Sequence, residues 1–264
     1  MILLSFDVEE FDMPVEYGKQ ISFNEQIAIS SRGTEIILRL LNNHQVKATF
    51  FCTANFALTK PSLIKRIVDE GHEVASHGYY HSKFEIADLL NSKKVLEEIT
   101  EKAIRGYRMA RMMPVDENEI AKAGYRYNSS INPTWIPGRY NNLHRPRKLF
   151  YESGIFQLPA SVSPLLRLPL FWLSFHNFPL WFYKKLCIRT YKSDKYLNIY
   201  FHPWEFTNLH NKEKFGFPMY VSNNSGERMA ARMKSLIIHF QKQNLPFSTI
   251  SDFLAAATNT PAPS

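Results

Sequence analysis

A few side chains able to hold a metal or move a proton stand in short groups along this chain. Asp7 and Glu9 follow the first apolar run, MetIleLeuLeuSerPhe. Residues i and i+2 of a strand point to one side, so an extended backbone turns both carboxylates toward one pocket. His77 and His81 stand four apart in SerHisGlyTyrTyrHis. In a helical turn that spacing puts both imidazoles on one side, where they can share a metal. Alone, such a pair is more often a surface or core feature than a site. Two histidines and a carboxylate leave positions open on Zn²⁺ or a similar ion, the pattern of a hydrolytic metal site. A second carboxylate beside the metal can act as base for its bound water. On the bland reading, Asp7 and Glu9 merely cap the end of the first strand.

The surrounding elements are expected to bring these groups together. Met1–Phe6, Lys47–Thr53, Glu73–Ser76, Ile104–Tyr107, Tyr125–Asn128, Tyr196–Phe201 and Pro246–Ile250 read as strands. Helical patterns fall at Gly33–Asn43, Ser62–Glu70, Ile86–Lys102, Glu117–Ala123 and Ser225–Gln243. Strands alternating with helices imply βαβ units and a parallel sheet. Asp7, Glu9, His77, Arg108 and His202 all lie where a strand ends, and parallel α/β folds place their sites at the C-terminal ends of strands. The fold class is therefore α/β, a barrel or an open parallel sheet.

Composition narrows the field. The 264 residues suit one large domain over 1–264, with a frayed tail from 258. A hydrophobic share of 45% rules out wholesale disorder. The 32 Lys and Arg exceed the 24 Asp and Glu by eight, which suits an anionic partner. No nucleic-acid-reading motif is present, so a nucleic-acid binder ranks last. Cys52 and Cys187 form no CxxC pair and point to a reducing compartment. The N-terminus has no basic n-region, which reads as a strand rather than a signal peptide; the expected location is cytoplasmic. Leu165–Tyr183 is the most apolar stretch, but Arg167, His176, Pro169 and Pro179 make it a poor transmembrane helix. Its aromatics, followed by Lys184, Lys185 and Arg189, fit a peripheral membrane contact, although an internal lid or core is the more ordinary outcome.

The ordered set of motifs resembles the polysaccharide deacetylase family (carbohydrate esterase family four), in the branch found with exopolysaccharide biosynthesis. The segments carrying the resemblance are SerPheAspValGluGluPhe (5–11), AlaThrPhePhe (48–51), GlyHisGluValAlaSerHisGlyTyrTyrHis (71–81), ArgGlyTyrArgMetAla (105–110), GlyTyrArgTyrAsnSerSer (124–130) and IleTyrPheHisProTrpGlu (199–205). The resemblance implies a distorted (β/α) barrel and a metal-dependent N-deacetylase of an N-acetylated sugar; the basic charge and the 165–183 stretch suit a glycan that is anionic or lipid-linked. The enzyme's metal, a divalent ion and most often Zn²⁺, would sit on Glu9, His77 and His81. Asp7 would be the base, Arg108 its ion-pair partner and His202 the acid. The backbone near Tyr79–His81 would steady the oxyanion, and Tyr79 and Trp204 would border the substrate. Two other readings stand beside this one, a hydrolase of cyclic amides or ureides and an inactive glycan-binding homologue.

The chain departs from the family pattern in several places. Val8 intervenes between the two carboxylates, Ala110 follows Met109 where the branch has AlaPro, and Asn128 replaces an aspartate. The stretch 168–176 is bulky where the branch is glycine-rich, which reshapes the expected pocket. These changes point to an altered substrate or to lost activity.

Overall fold

In the computed structural model, which describes residues 1–258, ten strands and twelve α-helices follow one another along the chain. The strands are β1 (Ile2–Val8), β2 (Thr49–Cys52), β3 (Glu73–Ser76), β4 (Gly106–Tyr107), β5 (Tyr127–Asn128), β6 (Trp135–Ile136), β7 (Tyr140–Asn141), β8 (Phe150–Glu152), β9 (Ile155–Gln157) and β10 (Leu197–Phe201). The helices are α1 (Met13–Glu16), α2 (Phe23–Asn43), α3 (Ala54–Thr59), α4 (Pro61–Asp69), α5 (Ala87–Thr100), α6 (Glu117–Lys122), α7 (Trp172–Asn177), α8 (Leu180–Asp194), α9 (Lys212–Phe215), α10 (Met219–Ser222), α11 (Glu227–Lys242) and α12 (Ile250–Thr258).

One curled sheet runs in the order β10-β1-β2-β3-β4-β5-β9-β8, with every pairing parallel except β8 on β9. Its two ends are drawn together without a regular ladder. The Ser161 N–H donates to the Asn198 carbonyl at 2.7 Å, and the Asn198 N–H donates to the Ser161 hydroxyl at 2.9 Å. The Asn198 amide also donates to the carbonyls of Leu158 and Pro159. The result is a distorted (β/α) barrel.

The period-2 alternation of the strands explains how the site is built. All seven residues of β1 are buried, as expected of a parallel strand covered on both faces. Ile2, Leu4, Phe6 and Val8 pack outward into the large cluster shared with the helices, while Leu3 belongs to a separate cluster with Phe51, Ala75, Tyr127 and Leu158. The inward positions of β1 thus climb from Leu3 through Ser5 to Asp7, from an apolar floor to polar groups. Val8 points into the outer core, which is why no second carboxylate stands there.

Some sequence expectations are corrected. Pro246–Ile250 is not a strand: a single bridge joins Phe247 to Ile2, and Ile250 instead opens α12, where Thr249 accepts from the Asp252 N–H. The helix expected from Gly33 begins ten residues earlier, with the Ser22 hydroxyl accepting from the Glu25 N–H as its N-cap. Helix α3 was not foreseen. The stretch 165–183 is mixed: Phe171, Trp172, Phe175 and Tyr183 are buried, whereas Leu165, Leu166 and Trp181 are exposed. Both cysteines are free and buried. No helix among the described residues is long and apolar enough to cross a membrane. The tail from Thr258 lies at and beyond the edge of the described residues.

Candidate metal centre and its cavity

At the C-terminal ends of the strands a cavity of about 830 Å³ opens, and Asp7, Glu9, His77, His81, His202 and Trp204 all line it. Asp7 ends the inward face of β1, and Glu9 lies two residues on, just past the strand. His77 follows β3 directly, and its N–H donates to the Cys52 carbonyl at 2.9 Å. The segment from His77 to His81 is irregular rather than helical. Gly78 (φ +87°) turns it, so the imidazoles stack 6.0 Å apart without a helical turn.

The two histidines converge on one oxygen. Glu9 Oε2 lies 3.0 Å from His77 Nε2 and 3.2 Å from His81 Nε2. On the far side of each ring, His77 Nδ1 faces the Arg108 carbonyl at 2.9 Å, and His81 Nδ1 faces Asp12 Oδ1 at 2.6 Å. Both outer partners can only accept, so each Nδ1 carries a proton. A neutral ring then turns the lone pair of Nε2 toward a carboxylate. A second proton on each ring, or a cation between them, resolves that opposition. Backing each ligating imidazole with an acceptor is how proteins orient metal ligands. The three donor atoms fall within 4.8 Å of one another, and all three residues are buried. This donor set fits a divalent ion, with open positions toward the cavity.

Electrostatics agree with that arrangement. Burial works to raise the Glu9 pKa, but the charge of His81 and the hydrogen bond of His77 hold it well below the usual carboxylate range. Burial works to lower His81, yet the Glu9 charge and the Asp12 hydrogen bond push it up to about 9. The remaining Glu9 oxygen accepts from the Trp204 indole N–H at 3.2 Å. Trp204 is itself stacked between Phe11 and His202. Glu10, next in sequence, turns away and accepts from Thr53 and Asn55.

Arg108 lies inside the barrel with no exposed surface. One nitrogen donates to Asp7 Oδ1 at 2.6 Å and to the Ser5 hydroxyl at 3.0 Å. The rest of the fork donates to the carbonyl and hydroxyl of Ser129, at 3.1 Å each. The guanidinium also lies 4.0 Å from the Phe51 ring centroid. His202, one residue past β10, places Nε2 3.9 Å from Asp7 Oδ2. Its Nδ1 and backbone N–H both meet Glu205 Oε1, at 2.9 and 2.6 Å. Burial works to lower the His202 pKa, but Glu205, Glu9 and Asp7 outweigh it and raise it. Glu205 has no exposed surface, and its other oxygen meets His176 Nε2 at 2.9 Å. Burial works to raise the Glu205 pKa, but the hydrogen bonds of His176 and His202 lower it.

Sequence reasoning missed several of these groups. Asp12 and His176 give no local signal, because their partners lie 69 and 29 positions away. Ser129 and Glu205 sit inside motifs quoted for other residues. Tyr79 is not among the residues that line this cavity; its ring packs on Tyr80 beside a separate shallow depression with Asp88 and Lys94. The bulky stretch does reshape the pocket. Phe171, Trp172 and Leu173 form one wall, with Trp172 edge-on to both His202 and Trp204. Asn128 donates to Gln157 at 2.9 Å and accepts from Ser130, so it braces the loop that carries Ser129.

Comparison with known proteins agrees with this geometry. A family model for polysaccharide deacetylase matches residues 17–127, which contain His77, His81 and Arg108. A peptidoglycan deacetylase of Helicobacter pylori is 31% identical over 108 residues, 38% of this chain and 37% of that protein. The chain thus spans well under two thirds of that relative. A probable polysaccharide deacetylase structure from Pseudomonas aeruginosa superposes with a TM-score of 0.69, at 14% identity, over 99% of this chain and 92% of the other. Puue allantoinase shares the fold at a TM-score of 0.67 and 15% identity, over 99% of this chain and 91% of the other. Over residues 17–127 the sequence matches the polysaccharide deacetylase model, and the fold is shared with polysaccharide deacetylase structures along the chain.

Proposed function

We propose that this chain is a metal-dependent hydrolase that removes N-acetyl groups from an N-acetylated sugar within a glycan. The supporting observation is the convergence of His77, His81 and Glu9 beside two separately held groups, Asp7 on Arg108 and His202 on Glu205. Glu9, His77 and His81 would hold a divalent ion, Zn²⁺ being the proposed one. When bound, that ion supplies Lewis acidity to an acetamide carbonyl and to water.

The chain's own residues do the rest. Arg108, itself steadied by the Ser5 hydroxyl, takes one oxygen of Asp7 and leaves Oδ2 to accept a proton from the attacking water. His202, fixed by Glu205, presents Nε2 to the cavity and donates a proton to the departing amine. Its raised pKa keeps that proton available near neutral pH. Acetate and a free amino sugar are the products. Trp172, Tyr140 and Tyr200 give the cavity aromatic walls suited to a sugar ring. Arg111 and Arg139 stand in its lining and suit an acidic or phosphate-bearing glycan, with exopolysaccharide synthesis in the cytoplasm as the proposed setting.

Acetate release from N-acetylated glycans, with and without chelator, tests this reading. Turnover that ignores the chelator, or that survives Asp7→Asn, would sink it. Turnover of cyclic ureides in place of glycans would move the reaction to another amide.

A further inference from the structure

The chain's surplus of positive charge is concentrated on two packed helices. α8 carries four cations against one acid, and α11 four against one, so together they hold six of the eight surplus charges. The acid of α8, Asp194, is already taken by Arg147 and Lys148 from outside the helix. The opposite face of α8 is buried through Tyr183, Cys187 and Thr190. Its outer face presents Trp181, Lys185, Arg189 and Lys192, all exposed and spaced three or four apart. None of these three cations has an ion-pair partner among the described residues. Lys185 sits 5.7 Å from the Trp181 ring centroid. Lys184 is bonded to Ser235 of α11, and burial, with Arg232 and Lys242 nearby, lowers its pKa. The cations of the two helices therefore share one field.

Exposed apolar side chains stand at the start of α8 and on α10, the helix whose Tyr220 and Val221 line the cavity. Trp181 is 65% exposed, Met219 82% and Tyr220 53%. The Asn177 amide donates to the Tyr220 carbonyl at 2.8 Å and ties α10 to the turn that precedes α8. Tyr220 itself lines the cavity. Tryptophan and tyrosine favour the membrane–water boundary, where an amphipathic ring finds apolar contact and hydration together. A hydrated polyanion would answer the lysines but would leave these three side chains in water.

We propose that the α8–α11 face docks on an anionic bilayer, with Trp181, Met219 and Tyr220 entering the headgroup region beside the cavity mouth. This reading stands apart from the deacetylase assignment, because it concerns a surface and no catalytic group. It fits a glycan carried at a membrane.

Flotation of the full chain with phosphatidylcholine vesicles, alone or mixed with phosphatidylglycerol, tests it. Co-flotation is expected only with the anionic mixture, and added salt should weaken it. Reversing Lys185, Arg189 and Lys192 to Glu should weaken binding at least about 100-fold, since each cation near such a surface contributes roughly fivefold. The emission of Trp181 should shift to the blue and be quenched by brominated acyl chains, and Trp181→Phe should remove that response. These side chains are exposed, so thermal melts of the variants should match the parent. Absence of flotation with anionic vesicles overturns the proposal. So does a triple variant that floats like the parent, or binding to heparin without binding to vesicles.

Discussion

Glu205 grips His202 twice on one oxygen, through the backbone N–H at 2.6 Å and through ring Nδ1 at 2.9 Å. The other oxygen faces His176, whose Nδ1 in turn faces the Asn223 carbonyl. His176 is thus held between the Asn223 carbonyl and Glu205, on the side of the carboxylate opposite His202. The carboxylate therefore orients His202 and raises its pKa.

Glu205→Gln keeps the shape and removes the charge. A raised histidine pKa means that the protonated form persists to higher pH and is lost as pH rises through it. With His202 as the acid, activity falls on that same rise. The variant should move the high-pH limb of kcat toward lower pH and reduce kcat roughly 100-fold, the usual range for one acid–base group. A limb that stays in place would remove His202 from the role of acid.

Metal binding should depend on pH through His81. Its pKa stands at about 9, so at neutral pH a cation must displace a proton from it. Apparent Zn²⁺ affinity should rise about tenfold per pH unit until that pKa is passed. Calorimetry in buffers of different ionisation enthalpy would count the proton released. Asp12→Asn removes the carboxylate behind the ring and should flatten the slope. In the metal-free chain the sign is the reverse. The stability due to a raised histidine pKa is complete below about 6.5 and lost as pH rises through about 9. Chelator-treated protein should thus melt lower at pH 9 than at pH 6.5, and Asp12→Asn should narrow the gap.

The same residues show how far the sequence could be followed. Asp7, His77, Arg108 and His202 were legible because polar side chains at the ends of apolar runs mark the open end of a parallel barrel. Glu9 was legible from alternation continued past β1. His77 and His81 meet for a different reason than their spacing suggests: Gly78 turns an irregular segment, where the spacing alone implies a helix. The early turns of α2 were missed because residues 23–32 lack a regular apolar stripe and depend on the Ser22 cap and tertiary packing. Asp12, His176 and Ser129 were not legible, because a hydrogen bond across 69, 29 or 21 positions leaves no local pattern.

Gly33 links the fold to the site. It lies mid-way along α2, where the helix packs on the short 3₁₀ segment Pro203–Phe206 that carries Trp204 and Glu205. A methyl group at Gly33 would stand 1.8 Å from the Pro203 carbonyl oxygen, so backbone must move. Alanine gains about 1 kcal/mol of helix propensity. Overpacking against rigid backbone costs about 1–3 kcal/mol or more. The clash should win, and Gly33→Ala should lower the thermal midpoint and reduce turnover together. A variant at least as stable as the parent would show that α2 does not press on that segment.

Arg108→Lys separates charge from geometry at Asp7, the proposed base. The arginine spans Ser5, Asp7 and both oxygens of Ser129 from one planar fork, with no exposed surface. Lysine keeps the charge but cannot donate in two fixed directions at once. At least one buried acceptor then loses its partner, at about 1–3 kcal/mol each. If Asp7 works only when held at this angle, kcat should fall about 100-fold or more, as expected when a catalytic group is misplaced by about an ångström. Metal affinity provides the control. His77 Nδ1 bonds the Arg108 backbone carbonyl rather than its side chain, so calorimetric Zn²⁺ binding should stay within a few-fold of the parent. Loss of metal binding with activity would instead mean that Arg108 shapes the whole mouth of the barrel, and that its pairing with Asp7 has no separate catalytic part.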